Sequence, residues 1–259
     1  MKVWLIIISM LAILPWSAST ARADIFRLEF GIGFWQTDPS GTITHNSEPG
    51  FDVDDTGGFS DKDEYSPFLW AYLKHPVPLV PNVRLELLDI DFSGSINQPL
   101  AWNGTEYDSG RNELMMNQAS AAFYYNLLDN SFWLTLDLGL DFNYLNGDYR
   151  ILPDDETKQG VHDDFSMLLP MLYVRTRAEI LETGLAVEAI GRGIGYSGTA
   201  FYDFQIKADY SLNLLELVAV GFELGYRFQS IDLNFDDHGM DAIIDTDFAG
   251  FFSGVCIRF

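Results

Sequence analysis

The stretch Leu134-Thr135-Leu136-Asp137-Leu138-Gly139-Leu140-Asp141-Phe142-Asn143-Tyr144 decides the fold. Every second residue is large and apolar, and Thr, Asp, Gly or Asn stands between them. A two-residue period marks an extended strand, whose side chains point alternately to opposite faces. The same period runs through Phe26 to Phe34, Tyr202 to Tyr210 and Val218 to Phe228. These runs read as strands of about ten residues.

A soluble sandwich also alternates, so the question is which face meets which solvent. Three features favour a membrane barrel. The polar face carries glycine and neighbouring opposite charges, Arg27 with Glu29 and Arg84 with Glu86, which suits a crowded polar lumen. Aromatic residues Trp35, Trp70, Tyr124, Tyr125, Trp133, Tyr144 and Tyr149 fall near strand ends, where interfacial girdles are expected. Long acidic connections alternate with short ones.

The expected strands are 24–37, 64–75, 82–93, 112–126, 132–145, 164–180, 185–196, 199–211, 217–231 and 246–259. The fold class is therefore all-β: a closed antiparallel up-and-down transmembrane β-barrel of about ten strands, with eight as the alternative count. Closure follows because hydrocarbon cannot satisfy an open sheet edge. An even strand number puts both termini in the periplasm, with short turns at His75 to Pro81, Leu127 to Ser131, Leu181 to Gly184 and Asn213 to Glu216. The third strand breaks phase between Leu87 and Leu88, which a bulge near Leu87 would repair.

The N-terminus reads as a targeting segment. Met1 and Lys2 precede the apolar run Val3 to Leu14, and Ala21-Arg22-Ala23 offers small residues at a cleavage site. Residues 1–23 are thus expected to be a cleaved signal peptide and 24–259 one outer-membrane barrel domain. Removal of Lys2 and Arg22 takes the net charge from −23 to −25. So acidic a chain repels phosphate backbones, which excludes nucleic acid as a partner. Cys256 is the single cysteine, so no internal disulfide framework exists.

At the other end Phe251, Val255, Ile257 and Phe259 share one face, and Phe259 is the last residue. That ending is similar to the terminal strand of bacterial outer-membrane proteins, which the assembly machinery recognises. His75-Pro76-Val77-Pro78-Leu79-Val80-Pro81-Asn82-Val83-Arg84-Leu85-Glu86, Tyr124-Tyr125-Asn126-Leu127-Leu128-Asp129-Asn130, Pro170-Met171-Leu172-Tyr173 and Gly225-Tyr226-Arg227 extend the likeness. With them nearly the whole mature chain resembles an uncharacterised family of proteobacterial outer-membrane β-barrel proteins. The resemblance implies the fold and a location in the cell outer membrane. It implies no catalytic residues.

Several motifs invite a chemical reading. His162-Asp163-Asp164 and Asp236-Asp237-His238 place a histidine beside carboxylates at the expected outer rim, and His45 also falls outside, whereas His75 lies on a periplasmic turn. Any histidine in such acid-rich loops has acidic neighbours, so these motifs do not establish a catalytic geometry. Segments 38–64, 146–164 and 232–247 together carry 20 acids against 3 bases. Within the first, Asp52, Asp54, Thr56 and Asp63 match the spacing of a calcium loop, making a divalent cation the one candidate ligand. Gly191-Arg192-Gly193-Ile194-Gly195 has no following helix and is expected to be strand glycine facing the lumen. Asn103-Gly104-Thr105 is a glycosylation sequon only in a eukaryotic secretory pathway.

The reading is a non-enzymatic barrel with a polar lumen filled by Arg27, Glu29, Asp137, Asp141, Arg175, Arg177, Glu188, Arg192, Asp203, Lys207, Asp209, Glu223 and Arg227. Its expected role is structural or surface binding. A narrow channel for small solutes or ions, and an outer-rim hydrolase of protease or lipid-modifying type, are the alternatives. No cofactor is expected. The expected partners are outer-membrane lipid, lipopolysaccharide and the assembly machinery, and the expected state is a monomer.

Overall fold

The computed structural model describes residues 26–45, 51–53, 59, 65–131, 133–196, 198–215, 217–234 and 242–259. The expected signal segment and most of the candidate calcium loop (Asp54, Thr56 and Asp63), together with His238, lie outside the described residues.

The described chain is built from strands β1 (Arg27–Gln36), β2 (Asp38–His45), β3 (Phe51–Asp52), β4 (Tyr65–Lys74), β5 (Asn82–Ile96), β6 (Leu100–Trp102), β7 (Thr105–Tyr107), β8 (Gly110–Ser131), β9 (Leu134–Pro153), β10 (Val161–Ile180), β11 (Leu185–Tyr196), β12 (Thr199–Leu215), β13 (Val218–Asn234) and β14 (Ala242–Arg258). All wall pairings are antiparallel and run between neighbours in the chain, from β4 and β5 through β8 to β14. The sheet closes because β14 pairs with β1, Glu29 facing Arg258 and Trp35 facing Phe252 in register. β2 continues β1 along the same partner, with His45 opposite Ala242. Counting β1 and β2 as one wall strand gives a closed barrel of ten. No helix among the described residues is long and apolar enough to cross a membrane.

The alternation holds along each strand, yet its polarity inverts partway up. On β5, Leu85 and Leu87 face out while Arg84 and Glu86 are buried inside; higher up Asp89 and Asp91 face out while Leu88, Ile90 and Phe92 are buried. The pairing of β5 with β8 is continuous from Asn82–Tyr124 to Ile96–Gly110, so the bulge expected near Leu87 does not exist. The phase break is real, and its cause is a change of solvent. Strands β9 and β13 invert at the same level: Tyr144 and Phe228 are the last outward aromatics, and Asp148 and Asp232 stand outside above them. Below the inversion the outer wall is an apolar belt; above it the barrel is apolar inside and polar outside, as a water-soluble protein is. On β9 the outward apolar row from Leu134 to Tyr144, at about 3.4 Å per residue and a tilt near 40°, rises about 26 Å, close to the ~25 Å of a bilayer-spanning barrel.

Some aromatic residues move from where their positions suggested. Tyr125, Trp133 and Tyr144 are exposed on the outer face, but Trp35, Trp70, Tyr124 and Tyr149 are buried inside. Trp70 fits because Gly31 faces it across the β1–β4 pair, where a Cβ would lie 2.3 Å from the indole. Gly191, Gly193 and Gly195 are corrected too. They lie on the outward face with Val187 and Ala189, and the Tyr202 ring covers the last two, while Arg192 and Ile194 point inward. Two lower turns are tighter than expected: β8 runs through Ser131 and β12 through Leu215.

The upper end carries a lid that sequence periodicity did not show. β6 and β7 form a hairpin whose turn, Asn103-Gly104, has φ of 50° and 74°, the left-handed pair of a type I′ turn. Trp102 dips from it into the barrel, 4.8 Å from the His45 ring and 4.5 Å from Tyr149, and its indole donates to Asp163 at 2.9 Å. Lys158 fastens the hairpin by donating to the Glu106 carbonyl at 2.5 Å and to Asp108 at 2.8 Å, and that partnership raises the lysine's pKa.

If the inversion marks the lipid boundary, charge should be costly below it and harmless above it. Leu224→Arg, outward on β13, is expected to cost about 2–4 kcal/mol in urea unfolding from lipid vesicles. Asp232→Arg, outward on the same strand above the inversion, should cost little. Equal losses would contradict the assignment.

Candidate functional site

The interior is layered by chemistry. Lowest, among the described residues, lie seven buried cations, Arg84, Arg175, Arg177, Arg192, Lys207, Arg227 and Arg258, and eight buried carboxylates, Glu29, Glu86, Asp137, Asp141, Glu188, Asp203, Asp209 and Glu223. Arg27, half-buried at the lower rim and 2.5 Å from Glu29, evens the count. The lumen is therefore neutral, and the chain's charge of −23 belongs to the rest of the molecule.

Two carboxylates act as hubs. Glu86 of β5 takes both Arg192 Nη atoms, at 3.0 and 2.8 Å, Arg227 Nη2 at 2.9 Å and Arg84 Nη2 at 3.2 Å. Arg192 also reaches Asp203 and Asp141, each at 3.0 Å, and Arg227 holds Asp203 with two bonds of 3.0 and 2.7 Å. Glu188 of β11 takes Arg175 at 2.6 and 2.9 Å and Lys207 at 3.1 Å. Arg175 donates onward to Asp137 at 2.8 Å, and Lys207 to Glu223 at 2.7 Å. Arg258, next to the C-terminus, joins Glu29 at 2.9 Å and Asp209, tying the last strand to the first.

Aromatic faces cover what the carboxylates leave. Trp70 lies between Arg84 and Lys207, 4.8 and 4.7 Å from its ring; Arg175 stands over Tyr72 and Arg227 over Trp35. Above the ions comes a layer of amides, in which Gln118 and Gln229 exchange hydrogen bonds of 2.7 and 3.1 Å and Asn143 donates to Gln118. Above that lie Trp35, Ile43, Ile90, Phe92, Phe201 and Phe248, under the hairpin lid.

Every expected lumen residue, from Arg27 and Glu29 to Glu223 and Arg227, faces inward, with Arg27 at the rim. Arg258 was missed, and Arg84 and Glu86, read as a charge pair on the polar face suited to a lumen, were left out of the expected lumen set although both are buried inside. The outward row Val83, Leu85, Leu87 was the signal that could have placed the hub. Phe251, Val255, Ile257 and Phe259 are exposed along the outer face of β14.

The remaining candidate chemistry is dispersed. His162 is exposed on the outer wall and bonds Asp148 at 2.8 Å, a carboxylate it shares with Arg150. His45 is buried under the lid, and His75 braces a lower turn by bonding the Pro81 carbonyl. Of the calcium-loop residues only Asp52 is described, at the short pairing of β3 with β2. Inside, Asp209, Glu223 and Cys256 bring ligand atoms within 4.8 Å of one another, but Arg258 and Lys207 already hold the two carboxylates, so the donors do not fit a cation.

No protein-family model matches the chain, and no curated protein matches its sequence. Among solved structures it is similar to the outer-membrane protease OmpT of Escherichia coli, at 11% identity and TM-score 0.45, over 94% of this chain and 99% of that one. It is also similar to Ail, the attachment invasion locus protein of Yersinia pestis, at 10% identity and TM-score 0.37, over 91% and 99% of the two chains. A third is the toluene transporter TodX of Pseudomonas putida, at 8% identity and TM-score 0.30, over 91% and 90%. All are outer-membrane barrels, and at such distances nothing of their chemistry carries over.

Because these charges are buried, removing one strands its partner. Arg227→Ala should cost on the order of 3 kcal/mol in urea unfolding from vesicles, while Lys158→Ala, in an outer loop, should cause no resolvable loss. Equal small losses would show a hydrated lumen in which pairing contributes little.

Proposed function

We propose that the chain is a monomeric integral protein of the outer membrane whose barrel is closed to solutes and whose role is structural or surface binding. The reading is supported most by the neutral, mutually paired lumen beneath an apolar upper layer and lid. An ion entering it would have to displace Arg192 or Arg227 from Glu86, then pass Phe92, Phe248 and Trp102. A narrow channel would instead leave charged side chains lining open water. Of the two histidines behind the rim-hydrolase reading, His162 sits on the outer wall in a shared surface ion pair, and His238 lies outside the described residues.

In this reading the lower end, with both termini and the short turns, faces the periplasm. The belt contacts membrane lipid, and the acidic upper wall meets lipopolysaccharide and the divalent cations that accompany it. The outward row ending in Phe259 is offered to the assembly machinery.

Purified protein in planar bilayers should show no conductance steps at about 100 mV. Regular open steps would overturn the closed reading in favour of a channel. In a Cys256→Ser background, a single cysteine at Asp155 should react with an impermeant reagent on intact cells and one at Leu181 should not. The reverse pattern would invert the topology.

A further inference from the structure

The turn between β4 and β5 breaks two local rules at once. Leu79 at its apex has φ of 68°, a left-handed backbone that favours glycine or asparagine, and its side chain is 92% exposed. Water offsets neither penalty, whereas an apolar surrounding would remove the cost of exposing the side chain.

The turn is not loosely hung. His75 donates its backbone N–H to the Asn82 side chain at 3.0 Å, and its Nδ1 accepts the Val77 N–H at 3.2 Å. With Nδ1 accepting, Nε2 carries the proton and donates to the Pro81 carbonyl at 3.0 Å. This neutral imidazole thus bridges both ends of the turn.

What sets the apex direction is Tyr125. It stands on the outward, lipid-facing row of β8 two residues from Phe123, and its hydroxyl donates to the Leu79 carbonyl at 2.8 Å. The bond ties the apex to a side chain of the outer belt. Val77 and Val80 are also exposed on this turn, as are Leu181 on another lower turn and Leu127 and Leu215 at the lower ends of β8 and β12. On this turn the apolar surface of the belt therefore continues onto Val77, Leu79 and Val80.

We propose that the 75–81 turn is a membrane anchor, with Leu79 held by Tyr125 among the acyl chains of the leaflet on the terminus side. Its partner is lipid, not a protein docking beneath the barrel. The proposal rests on the membrane-barrel reading above and deepens it by naming a lipid contact outside the strands. Such an anchor would fix how far the barrel sinks into the bilayer, and hence how much of the acidic upper wall projects from it.

The test uses the full mature chain with Cys256→Ser and one environment-sensitive fluorophore on a cysteine at Leu79, Leu224 or Asp155. Each is folded into phosphatidylcholine vesicles with or without lipids brominated near the top of the acyl chain, and each is also titrated with iodide. Position 79 is expected to lose at least half its emission to brominated lipid and to resist iodide, as position 224 in the belt should. Position 155 should respond to iodide alone. If 224 responds to brominated lipid but 79 responds only to iodide, the turn lies in water and the anchor is wrong, leaving its apolar face for a protein partner. If neither 79 nor 224 responds to brominated lipid, the membrane reading itself fails.

Discussion

Glu86 accepts hydrogen bonds or ion pairs from three guanidinium groups, those of Arg84, Arg192 and Arg227, in an interior where all four side chains are buried. A charge removed from water must be paired where it stands, and three cations around one carboxylate require further acids nearby. Asp203 and Asp141 supply them, and the same logic runs through Glu188, Asp137 and Glu223 until the lumen is neutral. The arginines come from β5, β10, β11, β13 and β14, so the network joins strands far apart around the wall. It is thereby a specification of register as much as a source of stability, because a slip of one residue on any strand would turn its charge into lipid.

That constraint explains the inside-out lower half. With lipid outside, the polar face has nowhere to go but the lumen. Where lipid ends the polarity reverses, and Asp89 and Asp91 stand outside while Ile90 and Phe92 build an ordinary apolar core. The glutamine and asparagine layer between the two regimes lets ionic and apolar packing meet without stranding a charge. The lid then buries Leu100, Trp102 and Tyr107 against the filled layer below it.

Much of this was legible in the sequence, since alternation is written residue by residue. Ten strands, the lumen charges from Arg27 to Arg227 and the inward Cys256 follow from period and phase alone. The failures share one cause: phase says which side a residue faces, not which solvent lies there. On β5 a change of solvent looked like a bulge, and Trp35, Trp70, Tyr124 and Tyr149 looked like girdle residues when they face inward and cover cations or fill the core. The lid did carry a signal, Asn103-Gly104, whose hairpin geometry outweighs its reading as a sequon. Nothing in period or composition could show that Glu86 collects arginines from β11 and β13 as well as from its own strand, because that depends on how the barrel closes.

The most direct measurement of the central claim is a double-mutant cycle between Glu86 on β5 and Arg192 on β11, joined by a two-pronged bond across the lumen. Glu86→Gln, Arg192→Met and the double variant would be unfolded in urea from lipid vesicles, and the coupling energy taken from the cycle. A paired, dry lumen predicts coupling above about 1.5 kcal/mol, with the double variant much less damaged than the sum of the singles. Coupling below about 0.5 kcal/mol, within the range of additive, independent sites, would mean that water screens the two groups and that the lumen is not the closed ionic core described here.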